Sequence, residues 1–275
     1  MAGFGKKKSP KEENHVDPRN SGNAGKFVGF VLLRENSWDK GKFFADMKSE
    51  WGIEIADDHP DDSDVVYVAA DGFRIIIGLM PTAIPNGEAE HFAKANYMWK
   101  DAERTVARHG AHLLVTVMGD GDMVDRARLY VKVTASLLNQ DTALALYSEG
   151  AVYQPEMFRD CAGMMNDHSM DKFLPILNLV WFGIYGDGKM AGVYTYGMRR
   201  FGKEEIEIYV PAASADLNNI RNFLVSVAAY VIGEDVVLRD GETIGFSADE
   251  KLPIKLSPGI AVDGNTIKID IIKQK

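Results

Sequence analysis

The chain has 275 residues and a mass of 30.4 kDa, with 31 Lys plus Arg against 40 Asp plus Glu and a formal net charge of −9. Hydrophobic residues at 46% and charged residues at 26% exclude a wholly disordered or fibrous chain and suffice for one large domain or two small ones. The single cysteine, Cys161, excludes an intrachain disulfide.

Residues 1–25 read as a disordered basic leader. No apolar stretch follows Lys6, Lys7 and Lys8, so they do not begin a signal peptide. The most apolar later run, Leu174 to Tyr185, is too short to span a bilayer. A cytoplasmic protein is expected. The leader holds five basic and three acidic residues, which leaves 26 basic and 37 acidic residues in the body, a balance of −11. Counterion release needs clustered cations, so neither nucleic acid nor an anionic membrane is expected as a partner.

FVGFVLL, from Phe27 to Leu33, reads as a strand. Ser37 precedes a helix expected from about Asp39 to Trp51, with Phe43, Phe44, Met47 and Trp51 on one face and Gly52 as its stop. VVYVAA and FRIIIGLMP follow as a hairpin turning at Asp71-Gly72. A long helix is expected from about Glu88 to His109, because Phe92, Ala95, Trp99, Ala102 and Val106 form one stripe. AHLLVTVMG then completes β-α-β-β-α-β, the ferredoxin-like arrangement, over residues 26–120.

The second sub-domain, residues 121–275, is expected to be another antiparallel α+β unit packed on the first. Its elements are a helix from Asp125 to Leu138, a strand from Ala143 to Tyr147 and a helix from Glu156 to Asn166 after Pro155. A hairpin at Gly186–Lys189 joins two strands. EEIEIYV alternates, with Ile206, Ile208 and Val210 facing one way and Glu205, Glu207 and Tyr209 the other. A helix from Asp216 to Ile232, a hairpin at Asp240-Gly241 and a last strand, TIKIDII, complete the fold.

No acid–base, nucleophile or metal set stands out, and no cofactor is expected. The acidic loop of Asp57, Asp58, Asp61, Asp62 and Asp64 lacks the spacing of a calcium loop. Asp120, Asp122 and Asp125 better suit a helix cap. His109 and His112 straddle a turn and need not converge on zinc. Cys161 and His168 are the one thiol–base pair, and a buried inert thiol is the favoured reading. The glycines at 183, 186, 188 and 192 lie between strands, so they form a hairpin and not a dinucleotide loop.

The densest polar grouping is GVYTYGMRRFGKEEIEI. Tyr194, Tyr196, Arg199, Arg200, Glu205 and Glu207 are the candidate binding surface, since tyrosine and arginine combine apolar area with directed hydrogen bonds. The competing expectation is a polar outer sheet face with cross-strand ion pairs.

TYGMRRFGKEEIEI, LNNIRNFLVSVAAYVI and LRDGETIGFS together resemble a bacterial domain-of-unknown-function family, four-two-six-one, over about Leu174 to Ser247. The matching residues include Gly197, Gly202, Asp240, Gly241, Thr243 and Gly245. The resemblance implies an intracellular bacterial protein of mixed α/β structure and carries no activity. The motif glycines suit turns and close backbone approaches.

The sequence therefore points to a non-enzymatic interaction module, of the immunity or adaptor kind, forming a 1:1 or homo-oligomeric complex. An acidic body suits a basic protein partner. The alternative is an enzyme or small-molecule binder, in which Arg199 holds an anion and a glutamate acts as base.

Overall fold

The computed structural model describes residues 24–56, 64–167, 173–245 and 251–272. The first elements are β1 (Phe27–Leu33), α1 (Lys40–Trp51), β2 (Val65–Ala70), β3 (Phe73–Met80), α2 (Glu88–Lys94), α3 (Ala102–Val106), β4 (Ala111–Met118), α4 (Met123–Leu137), β5 (Ala143–Ser148) and β6 (Ala151–Tyr153). Their strands form one antiparallel sheet in the order β2-β3-β4-β1-β5-β6. That sheet therefore continues past Gly121 as far as Tyr153.

Both helices and antiparallel sheets are present, so the α+β class holds. The strand order departs from the ferredoxin-like one, which places β1 between β3 and β4. Here β4 pairs directly with β3 and stands between it and β1. The β3–β4 connection also differs from the expected long helix: it is two short helices. Asn96 breaks it: its Oδ1 accepts from the Met98 and Trp99 amides, and its Nδ2 donates to the Val152 carbonyl. A side chain that closes its own turn competes with helix continuation. Ala95, expected in the buried stripe, is exposed, while Ala102 and Val106 are buried.

Alternation in β1 feeds two apolar clusters. Phe27, Val31 and Leu33 join the main core, whereas Leu32, with Phe30 beside it, packs in a smaller cluster with α2 and α3. Gly29 is a forced choice, because a Cβ there would lie 2.2 Å from the Tyr130 hydroxyl of α4. Asp122 caps α4 by accepting from the Val124 and Asp125 amides, as its place before the helix suggests.

The chain continues through α5 (Pro155–Gly163), α6 (Ile176–Leu179), β7 (Trp181–Gly186), β8 (Met190–Tyr196), a 3-10 turn (Met198–Phe201), β9 (Ile206–Pro211), α7 (Leu217–Gly233), β10 (Thr243–Ile244), β11 (Leu252–Pro258) and β12 (Asn265–Ile269). The second sheet has the order β10-β11-β12-β9-β8-β7. It is antiparallel except where β12 runs parallel to β9. Helix α7 packs on β7, β8 and β9.

The two sheets share one apolar cluster, which includes Phe27 and Ile269. At the junction the rings of Phe27 and Phe201 are 5.3 Å apart, and the Gly25 amide donates to the Arg200 carbonyl at 2.8 Å.

Candidate functional site

Residues of β8 alternate between two environments. Val193 and Thr195 are fully buried on the α7 side, and Tyr194 and Tyr196 face outward. Strand pairing puts Trp181, Gly183 and Tyr185 of β7 on that outward face, with Glu207 and Tyr209 of β9. Two glycines let the rings lie down on the sheet. A Cβ on Gly183 would come within 2.1 Å of the Tyr194 ring, and one on Gly192 within 2.5 Å of the Tyr209 ring.

Tyr185 meets Tyr209 edge-on at 5.6 Å. Tyr97, from the α2–α3 connection, packs on Trp181 and donates its hydroxyl to the Phe182 carbonyl at 2.7 Å. Tyr97 is 41% and Tyr196 37% exposed, and the other four rings are half-buried. Burial raises the Tyr194 and Tyr196 hydroxyls above their ordinary value, with Glu207 and Glu205 respectively adding to the shift. Both therefore stay protonated at neutral pH.

The structure buries the glutamates of the expected outer polar face and keeps a cross-strand ion pair, Glu207–Lys268. Glu207 is fully buried beneath the loop between β11 and β12. Its Oε1 accepts from the Ile260, Ala261 and Val262 amides at 3.1, 2.9 and 3.2 Å. Its Oε2 accepts from Thr266 Oγ1 at 3.0 Å and lies 2.5 Å from Lys268 Nζ. Burial works to raise this carboxyl, but Lys268 and the loop amides prevail and hold it below its ordinary value.

Glu205 is also buried. Its carboxylate accepts from Thr195 Oγ1 at 2.7 Å, the Gly197 amide at 2.9 Å and the Arg199 amide at 3.3 Å. It thereby anchors the first amides of the 3-10 turn. Gly197 at φ +122° and Gly202 at φ +66° bracket that turn, and a Cβ on Gly197 would lie 2.8 Å from the Leu179 carbonyl.

The two arginines part company. Arg199 reaches across to the loop before β12, with Nη2 donating to the Asp263 carbonyl at 2.5 Å. Arg200 is 2% exposed and points into the junction between the sheets. Its Nη2 donates weakly to Ser148 Oγ at 3.4 Å and lies 3.7 Å from Glu149 Oε1, and the guanidinium stacks over Phe27. Its Nε and Nη1 have no hydrogen-bond partner among the described residues.

The Asp240 motif closes the other edge of the sheet. Asp240 Oδ1 accepts from the Leu256 amide, the Gly241 amide donates to Ile254, and Thr243 pairs with Pro253. Gly241 adopts φ +80°, and Gly245 is exposed. These residues guard β11 against edge pairing.

Other sequence candidates are accounted for locally. His109 accepts from the Ile84 amide through Nε2 and donates through Nδ1 to the Val106 carbonyl. His112 is bonded to the Thr82 carbonyl. Among the described residues no group of three or more His, Cys, Asp or Glu is placed to hold a metal ion. Burial pushes the Cys161 thiol up to about 11, whereas His168 and Asp57–Asp62 lie outside the described residues.

Trp181, Tyr185 and Tyr97 escaped the sequence reading, and Tyr209, although placed on the outward face, was left out of the candidate surface. The one signal for Tyr185 and Tyr209 was Gly192, which lies opposite both and becomes informative only once strand register is known.

Residues 194–270 match the family model described as Domain of unknown function (DUF4261). The match spans the 3-10 turn, both buried glutamates, α7 and the loop that covers Glu207. No curated protein and no solved structure matches the chain.

Proposed function

We propose that this protein is a non-enzymatic interaction module that binds a protein partner through the aromatic outer face of its second sheet. One observation carries the reading. Every glutamate and arginine of the candidate surface is engaged in internal contacts, so the side chains left to meet a partner are Tyr97, Trp181, Tyr185, Tyr194, Tyr196 and Tyr209. Aromatic residues dominate binding hot spots because they bury large area at small entropic cost.

The rival reading, an enzyme or small-molecule binder, assigned Arg199 to an anion and a glutamate to proton transfer. Glu205 and Glu207 accept hydrogen bonds from fixed backbone amides and face no solvent. A carboxylate so engaged is a poor general base, and the binding reading is favoured.

A body at −11 suits a basic protein and disfavours nucleic acid. The lone cysteine and the family resemblance support a bacterial cytoplasmic setting. No helix among the described residues is long and apolar enough to cross a membrane.

The test is affinity capture from extracts of the native cell, with a salt titration. A saturable, salt-sensitive partner should be retained by Tyr230→Glu, a control on exposed α7, and lost by Tyr196→Glu. Equal capture by both variants, or no saturable partner, overturns the proposal.

A further inference from the structure

A cavity of about 40 Å³ lies between α5, α6, β7 and α7. A single water needs roughly 10–15 Å³ in the same measure, so the space exceeds one solvent molecule. Its walls are apolar, from Tyr153, Phe158, Leu177 and Trp181 among others, and Met98 and Met157 lie on its lining. Methionines adapt their shape to what they contact.

Two residues of this lining each carry a buried polar atom with no hydrogen-bond partner among the described residues. Asn178 is 2% exposed, and its Nδ2 donates to the Phe158 carbonyl at 2.7 Å, which fixes the amide's orientation. Its Oδ1 is left buried with no hydrogen bond. Arg221 donates through Nη2 to Met98 Sδ at 3.5 Å, and its Nε is also buried and unpartnered. An unsatisfied buried polar atom is costly, and a guest that pairs with it removes that cost.

From this arrangement we infer that the cavity is a binding site for a small, uncharged, largely apolar molecule carrying a hydroxyl or N–H donor. The donor serves Asn178 Oδ1, the apolar body fills the space between the rings, and an acceptor atom on the same molecule meets Arg221 Nε–H. The lining admits only a few non-hydrogen atoms. Cys161 also lines the cavity, so its thiol reports occupancy. The cavity shares Trp181 with the aromatic face, but the polar groups that would hold the guest, Asn178 and Arg221, are not part of that face, so failure of guest binding leaves the Tyr196→Glu capture test standing.

The test titrates the full chain, with labelled methionine methyl groups, with 2-propanol and separately with acetone. The two share a skeleton, but only 2-propanol can donate a hydrogen bond. Expected are saturable shifts of the Met98 and Met157 methyl signals, with 2-propanol binding about tenfold more tightly than acetone. Alkylation of Cys161 by iodoacetamide should slow as 2-propanol saturates. Leu177→Phe, which fills the cavity, should remove the shifts while keeping cooperative unfolding, and Cys161→Met serves should that variant not fold. Equal affinity for the two probes, a linear unsaturating response, or shifts that survive the filled cavity each overturn the inference.

Discussion

Glu207 and Lys268 sit side by side on the parallel pair β9–β12, with Oε2 and Nζ 2.5 Å apart and the carboxylate fully buried. The pair fastens one strand to the other while the second carboxylate oxygen gathers three consecutive loop amides. Removing one partner of a buried ion pair costs far more than an exposed pair is worth. Glu207→Gln should therefore lower unfolding free energy by about 3 kcal/mol at pH 7, measured by urea denaturation. A loss below half of that would mean the loop holds without the charge.

The same carboxyl sets an acid dependence. Its folded value lies below its ordinary value of 4.5, so the unfolded chain binds its proton first as pH falls. The stabilisation is fully present above about pH 4.5 and disappears as pH drops through the lowered folded value. Thermal melts between pH 6 and pH 3 should show a smaller loss in Glu207→Gln than in the wild type. Parallel curves would remove Glu207 as a source of acid sensitivity.

Arg200 presents the opposite economy. Among the described residues two of its nitrogens are buried without partners, and the one carboxylate within 4 Å, on Glu149, is 3.7 Å away. Burial accordingly lowers its pKa, with the neighbouring Tyr130 and Glu205 acting in the other direction. Arg200→Met keeps the length and removes the desolvated charge, so its stability should lie within about 1 kcal/mol of wild type or above it. Arg200→Ala should lose about 3 kcal/mol by opening a cavity between the sheets. If Met were as damaging as Ala, the charge itself would be holding the junction.

Gly197→Ala tests the 3-10 turn. The residue has φ +122°, and its amide feeds Glu205 while its Cα faces the Leu179 carbonyl. Strain and crowding together should cost about 2–3 kcal/mol, visible as a lower midpoint in denaturant. A silent substitution would show that the turn relaxes freely.

Cys161 supplies a pH-rate prediction. With the thiol at about 11, roughly one part in a thousand is thiolate at pH 8. Iodoacetamide should react slowly there and about tenfold faster for each pH unit until the fold fails. A rate that levels near pH 8 or 9 would place the thiol in an ordinary environment.

Much of the local structure is written in local residues. Asp71-Gly72 makes its hairpin, Gly52 ends α1 in the left-handed conformation, and Ile206, Ile208 and Val210 face the core as their spacing requires. Alternation also put Glu207 and Tyr209 on the opposite face. What alternation cannot convey is what covers that face. The loop over Glu207 belongs to β11 and β12, more than fifty residues later, and its position depends on β12 choosing β9 as neighbour. The split between α2 and α3 was equally hidden, since the apolar stripe runs on past the turn that Asn96 closes. The aromatic face required knowing that Gly183 lies opposite Tyr194.

The position of β12 also imposes a timetable on synthesis. The first sheet has all its strands once Tyr153 has been made, so it can form while the remainder is still on the ribosome. The second sheet cannot, because its strand between β9 and β11 is the last one described, Asn265–Ile269. Until that strand emerges, β9 has an open edge and Glu207 awaits both its lysine and its lid. A nascent chain stalled before Asn265 should carry a finished first sheet beside an unfinished, sticky second one, a natural substrate for chaperones.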